Sequence, residues 1–257
     1  MGINNLFATN VTGVTGLQRQ LDIIANNVAN STTTGYKARQ ASFQELLNQD
    51  VKAGVDPASQ PLGLNAGLNV TNQAPDFKQG NLEETGRQTD LALNGPGFFG
   101  LRDANGNLYL SRDGAFSFDG DKNLVSAQGL KVELNESLPK AQWPKGTLQI
   151  GRDGQVYIKE QNQTTAVGQL VLYQAQNNED LLSVGNNLYQ VAPGRTLQSN
   201  LTGANVGAVI QGSLESANVD LAAEMSNLII AQRSYSMNTQ MLKANDELWE
   251  AINAFSR

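Results

Sequence analysis

The chain has no cysteine and no histidine among its 257 residues. Those two absences remove thiol nucleophiles, disulfides, Cys/His zinc sites and every mechanism that relies on an imidazole base. Aromatic residues make up 6% of the sequence and there is no cluster of tryptophans, so a sugar-stacking cleft has little to be built from. Basic charge is short as well: 18 Lys and Arg against 24 Asp and Glu leave a net charge of −6, with no basic stripe to neutralise phosphates. Nucleic acid and anionic membrane surfaces are therefore not expected as partners. No run approaches the roughly eighteen apolar residues of a membrane span, so no membrane insertion is expected. The first thirty residues lack a basic start and an apolar block, so no Sec signal peptide is expected. Leu6 stands where a myristoylation motif after Met1-Gly2 wants Ser or Thr.

Two heptad-patterned ends are what the chain does have. Near the start, Ile3, Phe7, Val14, Leu17, Leu21, Ile24 and Val28 fall on alternating three- and four-residue steps, with Asn10 as the polar member. Near the end, Leu221, Met225, Leu228, Tyr235, Leu242 and Trp249 follow steps of the same kind. Each set is a narrow seam of coiled-coil type, too narrow for the core-facing side of an ordinary surface helix. The spacing predicts a helix from Ile3 to about Ser31 and another from Asn218 onward, with Asn218 or Asp220 as its cap. Gly13 and Gly16 each cost about 1 kcal/mol in a helix interior, so the first helix needs a partner to hold it. The run Ser31-Thr32-Thr33-Thr34-Gly35 stops it, because hydroxyl and β-branched residues compete with helical bonding and glycine supplies an end cap.

Between the ends the texture is that of strands and turns. Phe43 to Leu47 with Val51 reads as a brief helix or an extended arm, and 54–74, rich in Gly, Pro, Asn and Gln, as a linker or arm. From about residue 76 to 198, short apolar runs such as Leu91-Ala92-Leu93, Leu108-Tyr109-Leu110 and Val156-Tyr157-Ile158 alternate with Asp-Gly and Asn-Gly pairs, the pattern of antiparallel hairpins. The fold class expected is α+β: a coiled-coil-like pair of N- and C-terminal helices with an inserted all-β domain. Its parts are 1–35 (helix), 36–75 (arm), 76–200 (β-domain), 201–217 (return linker) and 218–257 (helix).

The motifs that imitate chemistry fail on inspection. Gly95-Pro96-Gly97-Phe98-Phe99-Gly100 has the dinucleotide-binding spacing, but Leu101 to Gly106 leads into another turn where that fingerprint needs a helix N-terminus. Asp103, Asn105 and Asn107, and Asp119, Asp121 and Asn123, imitate the first half of a calcium loop. Leu108 and Leu124 stand where the loop glycine belongs, and Gly114 and Leu130 where the bidentate glutamate belongs. Hairpin turns explain both segments. Glu83, Glu84, Asp90, Asp113, Asp119 and Asp153 offer carboxylates for a glycosidase, yet no spacing selects a pair. No catalytic residue, cofactor site or metal site is expected, and the chain does not read as an enzyme.

Ile24-Ala25-Asn26-Asn27-Val28-Ala29-Asn30 followed by Thr33-Thr34-Gly35-Tyr36-Lys37 resembles the N-terminal signature of flagellar rod and hook subunits; Asn26, Asn27, Ala29, Asn30, Gly35, Tyr36 and Lys37 carry the likeness. Gln79-Gly80-Asn81-Leu82, Asp90-Leu91-Ala92-Leu93-Asn94-Gly95, Arg112-Asp113-Gly114-Ala115-Phe116, Gly212-Ser213-Leu214-Glu215 and Asn218-Val219-Asp220-Leu221 are similar to further blocks of that family. Within it, the length and the 43–74 arm are most similar to the distal rod type. The resemblance implies a structural subunit that polymerises with copies of itself through its terminal helices into a torque-transmitting tube. Its implied partners are other flagellar rod and hook subunits and the flagellar type III export apparatus. Its implied location is the basal body, outside the cytoplasm after export. It also implies an export motif, which Phe43 and Leu47 fit. The competing expectation is a soluble ligand- or carbohydrate-binding β-domain, oligomerised by the same helices.

Overall fold

A computed structural model describes residues 3–47, 65–72, 75–160 and 163–255, with side chains from residue 9 onward except 43–47, 65–72, 249, 252–253 and 255. The described residues form two long helices and many short strands, an α+β composition. They fall into two units. One is built from the described parts of Met1–Ala29, Arg39–Pro75 and Asp220–Arg257, the other from those of Asn30–Ala38 and Asp76–Val219.

The first unit contains helix α1 (Ile3–Ala29) and helix α2 (Leu221–Phe255). At 35 residues, α2 is about 52 Å long. Asp220 caps it: its Oδ1 accepts from the Ala222 and Ala223 N–H groups at 3.0 and 3.1 Å, which satisfies two of the donors that open a helix. The two helices pack on each other. Gly13 lies beside Asn238, Gln18 bonds Tyr235, and Asn27 bonds Glu224, so the partner number falls as α1 advances and the pair is antiparallel. The same unit holds an antiparallel hairpin of strands Ala41–Leu47 and Asn65–Asn72, with Phe43 opposite Val70. Residues 41–47 thus take the extended alternative and not the brief helix; 48–64 lie outside the described residues.

The second unit is built from hairpins. One sheet runs Leu181–Gly185, Leu188–Val191, Leu108–Ser111, Phe98–Arg102, Lys131–Val132, Leu124–Val125, Ser117–Phe118, with Leu172–Ala175 and Leu197–Ser199 joined beside Phe98–Arg102. A four-stranded sheet orders Leu134–Glu136, Gln163–Leu170, Gln155–Glu160 and Thr147–Ile150. Alternation along Phe98–Arg102 sends its residues to two clusters. Phe99 and Leu101 join Leu91, Leu93, Phe116, Val156, Val167, Leu170 and others, while Phe98 packs with Leu110, Leu181 and Tyr189. Phe77, Phe98 and Tyr189 meet edge-on or tilted at centroid distances of 5.1–5.9 Å.

Residues 201–217, expected as a return linker, carry two strands: Ala208–Gln211 pairs with Leu91–Asn94, and Ser213–Glu215 with Leu82–Glu84. The reason is burial: Val209 is 1% exposed in the main core, and a buried backbone needs partners for its polar groups.

Candidate assembly surfaces and the buried charge cluster

On α1, Gly13, Gln18 and Asn27 meet α2, and Gly13, Gly16, Ile24 and Asn27 are buried. On α2 the matching line is Glu224, Leu228, Ala231, Tyr235, Asn238, Leu242, Asn245, with Ala231 and Asn245 buried. Of the residues expected in the seam, Ile24 is buried and Val14, Leu17, Leu21, Val28, Leu228, Tyr235 and Leu242 are half-buried. Leu221 and Met225, also expected in the seam, are 47% and 42% exposed, since the packed line runs through Glu224 instead. The side chains of Ile3, Phe7, Phe43, Leu47 and Trp249 lie outside the described residues.

The line is rich in small and polar residues for physical reasons. A Cβ on Gly13 would stand 3.3 Å from Asn238 Nδ2, so glycine admits the partner helix there. The Asn27 amide donates to Glu224 Oε1 at 3.1 Å and to the Arg39 carbonyl at 2.8 Å, and its oxygen accepts from the Arg39 N–H at 3.0 Å. It thereby holds the segment after the helix turn against α1. A hydrophobicity pattern passes over such residues; their heptad spacing is the signal that finds them.

α2 carries a second line that α1 does not cover. Ile230, Met237, Met241 and Leu248, spaced by seven, four and seven, are 57–63% exposed.

In the second unit the signature residues Gly35, Tyr36 and Lys37 are buried, whereas in the first Asn26 and Ala29 are exposed; Asn30 is intermediate. Lys37 Nζ donates to Glu215 Oε1 at 2.6 Å and to the Lys78 carbonyl at 2.7 Å. Glu215 also accepts from the Gly80 N–H at 2.9 Å and from Arg112 Nη1 at 3.2 Å. Arg112 Nη2 reaches the Gly95 carbonyl at 2.8 Å, and its guanidinium lies 5.3 Å from the centre of the Phe98 ring. The side chains are 0–4% exposed. Two cations thus share one carboxylate, and backbone carbonyls and a ring face take the surplus positive charge. Burial pushes the Lys37 ammonium below its ordinary value, opposed by the bond to Glu215, and burial likewise lowers Arg112.

Asn218 completes the cluster without capping α2. Its oxygen accepts from the Ala38 N–H at 2.7 Å, and its amide donates to the Asp76 and Lys78 carbonyls at 2.7 and 3.1 Å. Gly35 has φ +66° and donates its N–H to the Glu215 carbonyl at 2.8 Å; a Cβ there would stand 2.4 Å from Asp113 N. Only glycine fits.

The imitated motifs are turns. Asp103 accepts from the N–H groups of Asn105 and Asn107 and from the Asn107 amide, all at 2.8 Å; Asp119 does the same with Asp121 and Asn123 at 2.7–2.9 Å. The Asn107 and Asn123 amides are the main cause holding these two carboxyls below the usual range. Gly95 and Gly97, at φ +115° and +124°, lie in the turn between Leu91–Asn94 and Phe98–Arg102.

A chain whose polar investment lies in helix pairing and a structural charge cluster reads as a building block. Three family models match it: "Flagella basal body rod protein" over residues 7–37, "Flagellar hook protein FlgE/F/G D1 domain" over 92–158, and "Flagellar basal body rod FlgEFG protein C-terminal" over 210–255. The flagellar basal-body rod protein FlgG of Agrobacterium fabrum is 38% identical over 253 residues, covering 94% of this chain and 95% of that protein. FlgG of Buchnera aphidicola subsp. Schizaphis graminum is 34% identical over 254 residues, covering 94% and 96%. The flagellar hook-basal body complex protein FlhP of Bacillus subtilis is 31% identical over 264 residues, covering 95% and 96%. The chain belongs to the flagellar basal-body rod family, whose members are structural proteins of the bacterial flagellum and not enzymes. Within that family it is of the distal rod-like kind and is a rod structural subunit of the basal body. The ligand-binding alternative finds no support among these relatives.

Proposed function

We propose that the subunit polymerises through its terminal helices into a helical tube that carries torque to the hook. One observation carries this reading: α2 spends one heptad line on α1 and leaves a second, Ile230, Met237, Met241 and Leu248, in solvent. A helix with one line packed on α1 and a second, apolar line left open suits an array in which each copy touches its neighbours, and heterologous contacts of that kind propagate instead of closing. Methionine at two of the four positions suits a contact that must adapt to slightly different neighbours. In this reading α1 and α2 form the coiled-coil-like axial part, residues 76–200 form the inserted β-domain, and Phe43 with Leu47 serves the type III export apparatus. Other rod and hook subunits are the neighbours along the axis.

The test is Leu228→Asp in the otherwise native gene, with Met241→Asp beside it. Leu228 serves the pairing of α1 with α2, and Met241 serves contacts between copies. Both variants are expected to abolish rod assembly, while Met241→Asp leaves the purified chain's helix content unchanged. Normal motility with Met241→Asp refutes the exposed line as an assembly surface.

A further inference from the structure

Sulfur in this chain is confined to methionine. There is no cysteine, and of the four methionines Met1 lies outside the described residues while Met225, Met237 and Met241 all stand on α2. They are 42%, 57% and 58% exposed. Where thiols are absent the thioether is the side chain that peroxides attack, and its oxidation follows exposure. A peroxide that meets the free subunit therefore reacts at these three sulfur atoms.

The three are not equivalent in position. Met237 and Met241, about 40° apart round the helix, lie between Ile230 and Leu248, which are 63% and 58% exposed, in the heptad line that α1 does not cover. Met225 stands about 120° round the helix from Met237, with Leu221 and Ile229 one turn to either side of it at 47% and 53% exposure. The same chemistry thus falls on two flanks of one helix, and only one of them carries the open heptad line.

We propose that Met237 and Met241 are oxidation sites that switch the assembly surface off. The oxidant is a peroxide. Hydrogen peroxide transfers one oxygen to the Sδ atom: the O–O bond breaks, an S–O bond forms, the sulfur gives up two electrons and the peroxide leaves as water. An apolar, flexible thioether becomes a polar, chiral sulfoxide. The middle two places of the line then each hold a strong acceptor, and burying it against another copy without a donor is unfavourable. The proposal rests on the polymeric reading above and adds a control to it. Free subunits are open to the oxidant, whereas copies already packed through this line are shielded. Methionine sulfoxide reductases reverse the modification, so the switch resets.

The test uses hydrogen peroxide on the purified full-length chain. Peptide mass spectrometry locates the added oxygen, and sedimentation gives the concentration needed for polymerisation, each chain being compared with its own untreated sample. In the native chain that concentration is expected to rise roughly tenfold for each sulfoxide in the line, the scale of half a buried methionine side chain. Methionine sulfoxide reductases restore the untreated value. A chain carrying both Met237→Leu and Met241→Leu is expected to show no change on treatment, and Met225→Leu to respond as the native chain does. Unchanged polymerisation with oxygen on both residues overturns the proposal. So does an equal loss in the double leucine chain, protection by Met225→Leu, or oxygen found on Met225 alone. Polymer that takes up oxygen at Met237 and Met241 as fast as the free chain overturns the shielding. A native chain that never polymerises, treated or untreated, overturns the polymeric reading and this proposal with it.

Discussion

Replacing Glu215 by Gln tests the buried cluster most sharply, because the change is isosteric and removes only charge. Glu215 is the single anion between Lys37 and Arg112, and all three side chains are 0–4% exposed. Without it two buried cations are left with neutral partners only, the backbone carbonyls, the Phe98 ring face and the new amide oxygen. Removing one partner of a buried pair costs about 3–5 kcal/mol, and the repulsion left behind places Glu215→Gln at the upper end. Lys37→Met is the control. It leaves Arg112 and Glu215 as a neutral pair, Glu215 still accepts from the Gly80 N–H, and the Lys78 carbonyl still accepts from Asn218. Its cost is therefore smaller, about 1–3 kcal/mol. The assay is urea unfolding of the purified chain followed by Trp143, buried in the main core, in a Trp249→Phe background. The shift in midpoint multiplied by the slope gives the cost. A Glu215→Gln variant no less stable than Lys37→Met would refute the charge argument.

The same cluster sets a pH dependence. Lys37 is depressed in the folded chain relative to its ordinary value of 10.5, so between the two values the unfolded state binds more protons and stability rises with pH. Unfolding free energy of the native chain minus that of Lys37→Met is expected to increase from neutral pH toward 10.5; a flat or falling difference refutes the assignment. At the helix pair, Gly13→Ala gains about 1 kcal/mol of helix propensity against a contact of 3.3 Å to the flexible end of Asn238, and is expected to be near neutral in thermal melts followed by circular dichroism. Gly13→Leu is expected to separate the helices and lower helix content, and unchanged helicity would count against close packing at that point.

The helices were legible because heptad spacing survives in any register, whereas the small and polar residues at which they meet carry no hydrophobic signal. Gly13 and Asn27, which meet α2, are not among the apolar residues that define the heptad pattern. Hydrophobicity ranks them wrongly because glycine is there for clearance and asparagine for its hydrogen bonds. The hairpin turns at Asp103 and Asp119 were legible from Asp and Asn alone, since their geometry is local. The strand Ala208–Gln211 was missed although Ala208-Val209-Ile210 lies between Gly207 and Gly212, a strand signal too short to outweigh its loose surroundings. No local pattern could have assembled the cluster: Glu215 lies 178 positions from Lys37 and 103 from Arg112. The family signature marked Lys37, and only the fold supplies its partner.

Electron microscopy of basal bodies from cells lacking this gene, beside the same cells complemented with it, shows whether the chain builds the rod. Rods that stop short and bear no hook are expected without the gene, and complete rods with hooks on complementation. Complete rods and hooks in its absence would contradict that role.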